Sequence, residues 1–284
     1  MTSISRTIKT DRLSLAALEW GNPEGIPVVA LHGWLDNAAS FTRLAESLDL
    51  STIRLIAIDL PGHGHSEHRG KGQIYHLMEY VVDVIGVLKT LDVDPVVLLG
   101  HSLGGIVALL AAVAVPSKIS QLILLDSFGP MVDKEDDVAL QLKKAISKIC
   151  LTESRPQKSY QSIDDAIDVR LGGFGKISRE AARILLERGL TKQTSGYTWS
   201  TDARLREPSL MRLSELQVKG FMNHIQCPTC LIAGTEGYIS LEETKNPRLG
   251  YISKLETHQV SGHHHFHMDG DVDLTAKIIN RFLN

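Results

Sequence analysis

The chain has 284 residues, 43% of them hydrophobic and 22% charged, and its 30 Lys and Arg against 33 Asp and Glu leave a formal charge of −3 with the histidines neutral. A chain of this length buries a core without disulfides or a structural metal, and a near-neutral balance with no basic block argues against a nucleic-acid partner. The three cysteines, Cys150, Cys227 and Cys230, suggest no disulfide framework, no Asn-x-Ser/Thr acceptor occurs, and a first segment bearing Arg6, Lys9, Asp11 and Arg12 does not read as a signal peptide, so a cytoplasmic location is expected.

In chain order, short apolar runs at 13–20, 26–31 and 53–58, each closed by Gly, His or Asp, predict buried strands. Ile74, Leu77, Met78, Val81, Val84, Ile85, Leu88 and Leu91 then recur at helical spacing and predict an amphipathic helix. A strand at 96–99, a helix at 103–115 stopped by Pro116 and a strand at 122–125 follow. The longest apolar run, 106–115, is about half of the ~20 residues that cross a bilayer, so no membrane span is expected. Strands alternating with helices imply a mainly parallel sheet covered on both faces, an α/β fold.

From Gly129 to Met222 the alternation stops. Helical periods appear at 133–144, 163–171 and 179–188, with a Gly172-Gly173-Phe174-Gly175 joint, and strands resume at 230–233 and 256–260 before a last helix. The returning strands need the first half of the sheet to pair with. The expectation is therefore one α/β core, residues 1–128 and 223–284, with residues 129–222 inserted after the sixth strand as a helical lid. Phe174, Tyr197, Trp199, Met211 and Phe221 are the lid's apolar and aromatic residues, available for its core or for an acyl pocket.

The sharpest local pattern is Gly100-His101-Ser102-Leu103-Gly104, a G-x-S-x-G between a predicted strand and a predicted helix. Its glycines let the chain turn abruptly and push the Ser102 hydroxyl out above the sheet, where the helix N-terminus favours negative charge. Upstream, the strand at 26–31 runs into His32-Gly33-Trp34, and Asp59-Leu60-Pro61-Gly62-His63-Gly64-His65-Ser66 has the form D-x-x-G-x-G-x-S. Gly62-His63-Gly64 lacks the Lys-Ser/Thr of a phosphate loop and reads as a structural turn. Together these motifs resemble the α/β-hydrolase superfamily over nearly the whole chain. The segments Leu31-His32-Gly33-Trp34-Leu35-Asp36-Asn37 and Leu125-Asp126-Ser127-Phe128-Gly129-Pro130 are most similar to the animal serine hydrolase-like proteins. The resemblance implies an oxyanion hole made by the backbone N–H groups of Trp34 and Leu103. His32 and Gly33 by themselves read as a tight turn with a structural histidine.

A serine hydroxyl needs a base. The candidates lie in Gly262-His263-His264-His265-Phe266-His267-Met268-Asp269. Relatives place the histidine five residues ahead of an acid, which with Asp269 selects His264; a glycine directly before it would select His263, and spacing to the last helix would select His265. A metal site made from the run is disfavoured because consecutive side chains on an extended segment diverge. For the acid, many relatives have Asp three residues after the glycine that ends the seventh strand, and here that position is Gly237. Another branch of the superfamily takes its acid from the end of the sixth strand, which selects Asp126, with Glu236 as the alternative and Glu242 or Glu243 behind it. Cys227-Pro228-Thr229-Cys230 opens a strand rather than a helix and reads as two core thiols; a metal site completed by His224 and Cys150 is the lesser alternative.

What the resemblance implies is a serine hydrolase with a Ser102-His264-Asp126 triad, cleaving small carboxylic esters through an acyl-enzyme, with no cofactor, no metal and a small acyl substrate as partner. Ser102 in place of Asp makes dehalogenase or epoxide-hydrolase chemistry a poor fit. Carbon–carbon bonds, thioesters and amides are open to the same triad. A ligand sensor with an impaired triad, and an interaction protein acting through residues 130–222, are the rival classes.

Overall fold

The structure, a computed structural model, describes residues 2–151, 158–173 and 175–284. Strands β1 (Ile4–Lys9), β2 (Ser14–Gly21), β3 (Ile26–Leu31), β4 (Ile53–Ile58), β5 (Val96–His101) and β6 (Ile119–Leu125) come first. The short strands β7 (Ser159–Tyr160), β8 (Leu190–Gln193) and β9 (Gly196–Trp199) form a separate three-stranded sheet, and β10 (Thr229–Glu236) and β11 (Leu255–His263) return to the large one. The eight-stranded sheet has the order β1-β2-β4-β3-β5-β6-β10-β11. β2 pairs antiparallel with β1 and β4, and every pairing from β4 onward is parallel.

The apolar runs are continuous because both faces are covered. Val29, Leu31, Ile56, Ile58, Leu98, Leu122 and Leu124 face one cluster, with α2 (Leu77–Leu91) and α3 (Leu103–Ala114) packed over it. Their neighbours Val28, Ala30, Leu55, Ala57, Val97, Leu99, Ile123 and Leu125 face the other, under α1 (Thr42–Ser47) and the C-terminal helix at 272–283. That is the period of two of a strand, read on both sides. Only Ile8 of β1 is buried, so the edge strand carries no apolar run for a sequence reading to find.

Between β6 and β10 lie α4 (Val138–Cys150), α5 (Ile163–Leu171), α6 (Arg179–Gly189) and α7 (Glu215–Met222). Tyr160, Ala166, Ile167, Ala182 and Leu186 give this segment a small core of its own. It differs from the all-helical expectation in two ways. α4 starts at Val138, after a short 3₁₀ turn, rather than at 133. Residues 190–199 form a hairpin paired Gln193 to Gly196, whose polar, half-exposed strands have no apolar alternation. Phe174 lies outside the described residues.

This segment is tied to the sheet's carboxyl edge by buried polar contacts. Arg188 of α6 donates from Nε to both carboxylate oxygens of Asp59, at 2.9 and 3.1 Å, and its Nη2 lies 2.8 Å from Oδ2. Asp59 also accepts from the N–H groups of Ala38 at 2.7 Å and His65 at 2.8 Å, so the D-x-x-G-x-G-x-S loop is an organised turn around one carboxylate. Asn37 Nδ2 donates to Leu185 O at 2.8 Å, and the Trp34 indole donates to Leu205 O at 2.9 Å. Removing one partner of a buried ion pair strands the other. Arg188→Met is expected to lower the unfolding free energy by about 3 kcal/mol in urea titrations; a loss below about 1 kcal/mol would show that the N–H groups of Ala38 and His65 hold the Asp59 charge without the guanidinium.

Candidate active site

Ser102 sits between β5 and α3 with φ 50° and ψ −117°, a left-handed conformation for a residue with a side chain. The glycines around it are required by contact. A Cβ at Gly104 would run into the carbonyl oxygen of Leu31, and one at Gly100 would overlap the backbone of Gly105. α3 therefore passes close to the end of β3, and the strain at Ser102 is held by that packing. Ser102 N–H donates to Leu125 O at 3.2 Å, and Ser127 Oγ donates to Ser102 O at 2.7 Å, which fastens the turn to the end of β6. Leu103 is the first residue of α3, where N–H groups have no carbonyl one turn back.

Asp126 follows β6 directly, with φ 42°. Its Oδ2 accepts from His264 Nδ1 at 2.6 Å and from the N–H of Tyr238 at 2.8 Å. Both side chains are nearly fully buried. With Nδ1 donating to the carboxylate, Nε2 is the basic nitrogen of His264. A side chain at Gly237 would overlap Asp126 Oδ1. The residue three beyond Gly234 is thus glycine because a carboxylate from β6 already fills the place.

The other candidates fall elsewhere. His263 Nδ1 lies 3.2 Å from Glu236 Oε2, so the alternative base and alternative acid pair with each other, Glu236 being 62% exposed. Glu242 faces solvent and holds Lys245 at 2.8 Å, and Glu243 is exposed. His265 turns to Asp36, with Nε2 at 3.1 Å from Oδ2. Cys227 and Cys230 are unbonded and buried, and burial pushes the Cys230 thiol up to about 12, far from a reactive thiolate. His224 bonds the carbonyl of Gly220.

Ser102, His264, Gly33, Trp34 and Asp36 line one cavity of about 610 Å³, together with Tyr160, Val169, Arg170, Trp199 and Arg206 from the segment between β6 and β10. Met211 lines a separate groove and Tyr197 packs in the small core of the inserted segment. The sequence reading missed the histidine cluster at the cavity wall. His101 is buried with its ring 4.5, 5.0 and 4.2 Å from those of His264, His265 and His267. The signal available was the x of G-x-S-x-G and the acid of Leu31-His32-Gly33-Trp34-Leu35-Asp36-Asn37.

Two further buried histidines shape the loop after β3. His32 donates from Nδ1 to Gly33 O at 2.8 Å and accepts on Nε2 from Leu60 N–H at 2.9 Å. His63 donates from Nδ1 to Pro61 O at 3.1 Å and accepts on Nε2 from Leu35 N–H at 3.2 Å, Leu35 being left-handed with φ 66°. Each ring donates from one nitrogen and accepts on the other, which is the neutral form of imidazole. Burial lowers His32, and burial together with neighbouring His32 pushes His63 down to about 3 from its ordinary 6.5. The unfolded chain binds the proton more readily, so this contribution to stability is complete above 6.5 and is lost as pH falls toward 3. The unfolding free energy in urea titrations is expected to fall from about pH 7 to about pH 5, and His63→Gln to shallow that slope by up to about 1.4 kcal/mol per pH unit. An unchanged slope would mean that folded His63 takes up its proton over the same pH range as the unfolded chain.

The description of the α/β-hydrolase fold matches residues 26–148. A serine hydrolase-like protein of Dictyostelium discoideum is 32% identical, over 94% of this chain and 78% of that protein. Serine hydrolase-like protein 2 of Homo sapiens is 30% identical over 95% of this chain and 90% of its own. A hypothetical protein of Pseudomonas aeruginosa PAO1 has a solved structure similar at a TM-score of 0.89 and 38% identity, covering 98% of this chain and 97% of that one. A thioesterase domain from the curacin biosynthetic pathway is similar at a TM-score of 0.86 and 25% identity, covering 98% and 99%. With its mostly parallel eight-stranded sheet and relatives matched over most of their length, the chain belongs to the α/β-hydrolase fold family, in the group of serine hydrolase-like proteins.

Proposed function

We propose that this hydrolase cleaves small carboxylic esters with Ser102 as nucleophile, His264 as base and Asp126 as the acid that orients it. The observation that carries the reading is the buried 2.6 Å hydrogen bond from His264 Nδ1 to Asp126, behind the cavity that Ser102 also lines. His264 Nε2 takes the Ser102 proton as the oxygen attacks the ester carbonyl. The backbone N–H groups of Trp34 and Leu103 hold the oxyanion. His264 then protonates the departing alcohol and activates a water, which releases the acid and restores Ser102.

Residues 129–222 act as a lid in this reading, since Tyr160, Val169 and Trp199 supply the apolar roof that selects the acyl group. The similarity to a thioesterase domain makes thioesters the second substrate class to assay. Among the described residues no helix is long and apolar enough to cross a membrane; a cytoplasmic location and a small acyl substrate remain part of this proposal.

A fluorophosphonate probe, mapped by mass spectrometry, is expected to label Ser102 stoichiometrically and to leave Ser102→Ala unlabelled. Asp126→Asn is expected to cut ester turnover by about 10³-fold or more, with Glu236→Gln within about twofold of the parent. The reverse ranking would move the acid to Glu236, and a folded, unlabelled protein would remove the hydrolase mechanism. Gly237→Ala displaces the Asp126 carboxylate and is expected to cost about a hundredfold in turnover, together with the low-field proton resonance of the His264 Nδ1–H. Retention of both would show that Asp126 does not need that place.

A further inference from the structure

Three donors that the ester mechanism does not use converge on the wall of the same cavity. Asp36 comes from the loop after β3, His101 from the last position of β5 and His265 from the turn after β11. Asp36 Oδ2 lies 3.1 Å from His265 Nε2 and 4.0 Å from His101 Nδ1, and the three ligand atoms all lie within 4.8 Å of one another. All three residues are at least nine-tenths buried.

The protonation pattern is set by a neighbour. His101 Nε2 is 3.0 Å from the carbonyl oxygen of His264, and a carbonyl only accepts, so Nε2 carries the hydrogen. Nδ1 is then a bare lone pair, and it makes no hydrogen bond to any described residue. It faces a carboxylate oxygen. Two acceptors facing each other in a buried place call for a donor or a cation between them. A Cβ at Gly33 would lie 2.9 Å from His101 Nδ1 and 3.0 Å from Asp36 Oδ2, so glycine keeps the approach to both donors clear from the cavity side.

We infer that Asp36 Oδ2, His101 Nδ1 and His265 Nε2 form a binding site for a divalent transition ion of the zinc class. Two imidazoles and one carboxylate suit such ions, whereas calcium and magnesium take oxygen ligands. Three protein ligands leave a coordination position toward the cavity. His265 Nε2 gives up its hydrogen bond to Asp36 to face the ion, which puts the ring hydrogen on Nδ1, a buried atom with no hydrogen-bond partner among the described residues. The Arg170 guanidinium lies 3.5 Å from Asp36 Oδ1, the oxygen not assigned to the ion; it fixes the carboxylate and its charge weakens affinity. Of the three consecutive histidines only His265 takes part, and the other two donors come from outside that run.

The test titrates zinc into the full chain, after dialysis against a chelator, by calorimetry and, with cobalt, by absorption. One ion per chain is expected, bound about tenfold or more weaker in both Asp36→Asn and His265→Gln. His258→Gln removes a donor from the other three-donor group among the described residues, Cys230, Glu256 and His258, and is expected to leave that affinity unchanged. Should the cavity variants not fold, the parent protein crystallised with zinc still decides, by anomalous scattering at the zinc edge. A peak between the three donors supports the site. A peak only beside His258, a water bridging His101 and Asp36 without anomalous signal, or affinity unmoved in both cavity variants overturns it. Fluorophosphonate labelling of the zinc-free chain reads Ser102 independently, so either proposal can fail alone.

Discussion

The close passage of α3 beneath the end of β3 is the constraint on which the site depends. Because a Cβ at position 104 has no room beside the Leu31 carbonyl, the helix starts nearer the sheet than an ordinary strand–helix connection allows. Ser102 then takes the left-handed turn that lifts its hydroxyl into the cavity. The loops after β3, β6 and β11 must pack around this point, and they bring Trp34 and Asp36, Asp126, and His264 with them. Ligand sites of open parallel sheets lie at the carboxyl ends of the strands for this reason: the loops there share one small space.

In that space each of three consecutive histidines has its own carboxylate. His263 pairs outward with Glu236, His264 inward with Asp126 and His265 sideways with Asp36, at 3.2, 2.6 and 3.1 Å. What separates them is solvent. An exposed pair such as His263 with Glu236 is worth little and holds no fixed geometry. A buried carboxylate with backbone donors has few places to go, and it can set the tautomer of the imidazole it holds. Asp126 meets that condition through Tyr238 N–H, whereas buried Asp36 is held by the side chains of His265 and Arg170.

Much of this was legible because the fold writes local rules into the chain. Strands buried on both faces appear as unbroken apolar runs ended by Gly, His or Asp, and the turn at Ser102 needs glycine at fixed spacing. The elements that escaped notice lack such rules. β1 buries one residue, and the hairpin at 190–199 is polar and half exposed. Asp36 and His101 escaped for a different reason: their meeting depends on strand order, since β3 lies beside β5 in the sheet while β4 comes between them in sequence. The three histidines could not be ranked from spacing alone, because the choice rests on which carboxylate each one meets.

The position of the Asp126 carboxylate follows from the hydrogen bonds of the sheet. Ser102 N–H bonds Leu125 O, the next residue's N–H, that of Asp126, bonds Ile232 O of β10, and Ser127 Oγ returns to Ser102 O. Ser102 and Asp126 are therefore joined through the sheet's own hydrogen bonds and the Ser127 side chain. An acid placed after β10 would stand one strand further from Ser102 and would ride on a loop. Here that loop supplies the N–H of Tyr238 and, at Gly237, the lack of a side chain, which are the two things a carboxylate arriving from β6 needs from it. The glycine at 237 is thus the steric complement of the Asp126 carboxylate.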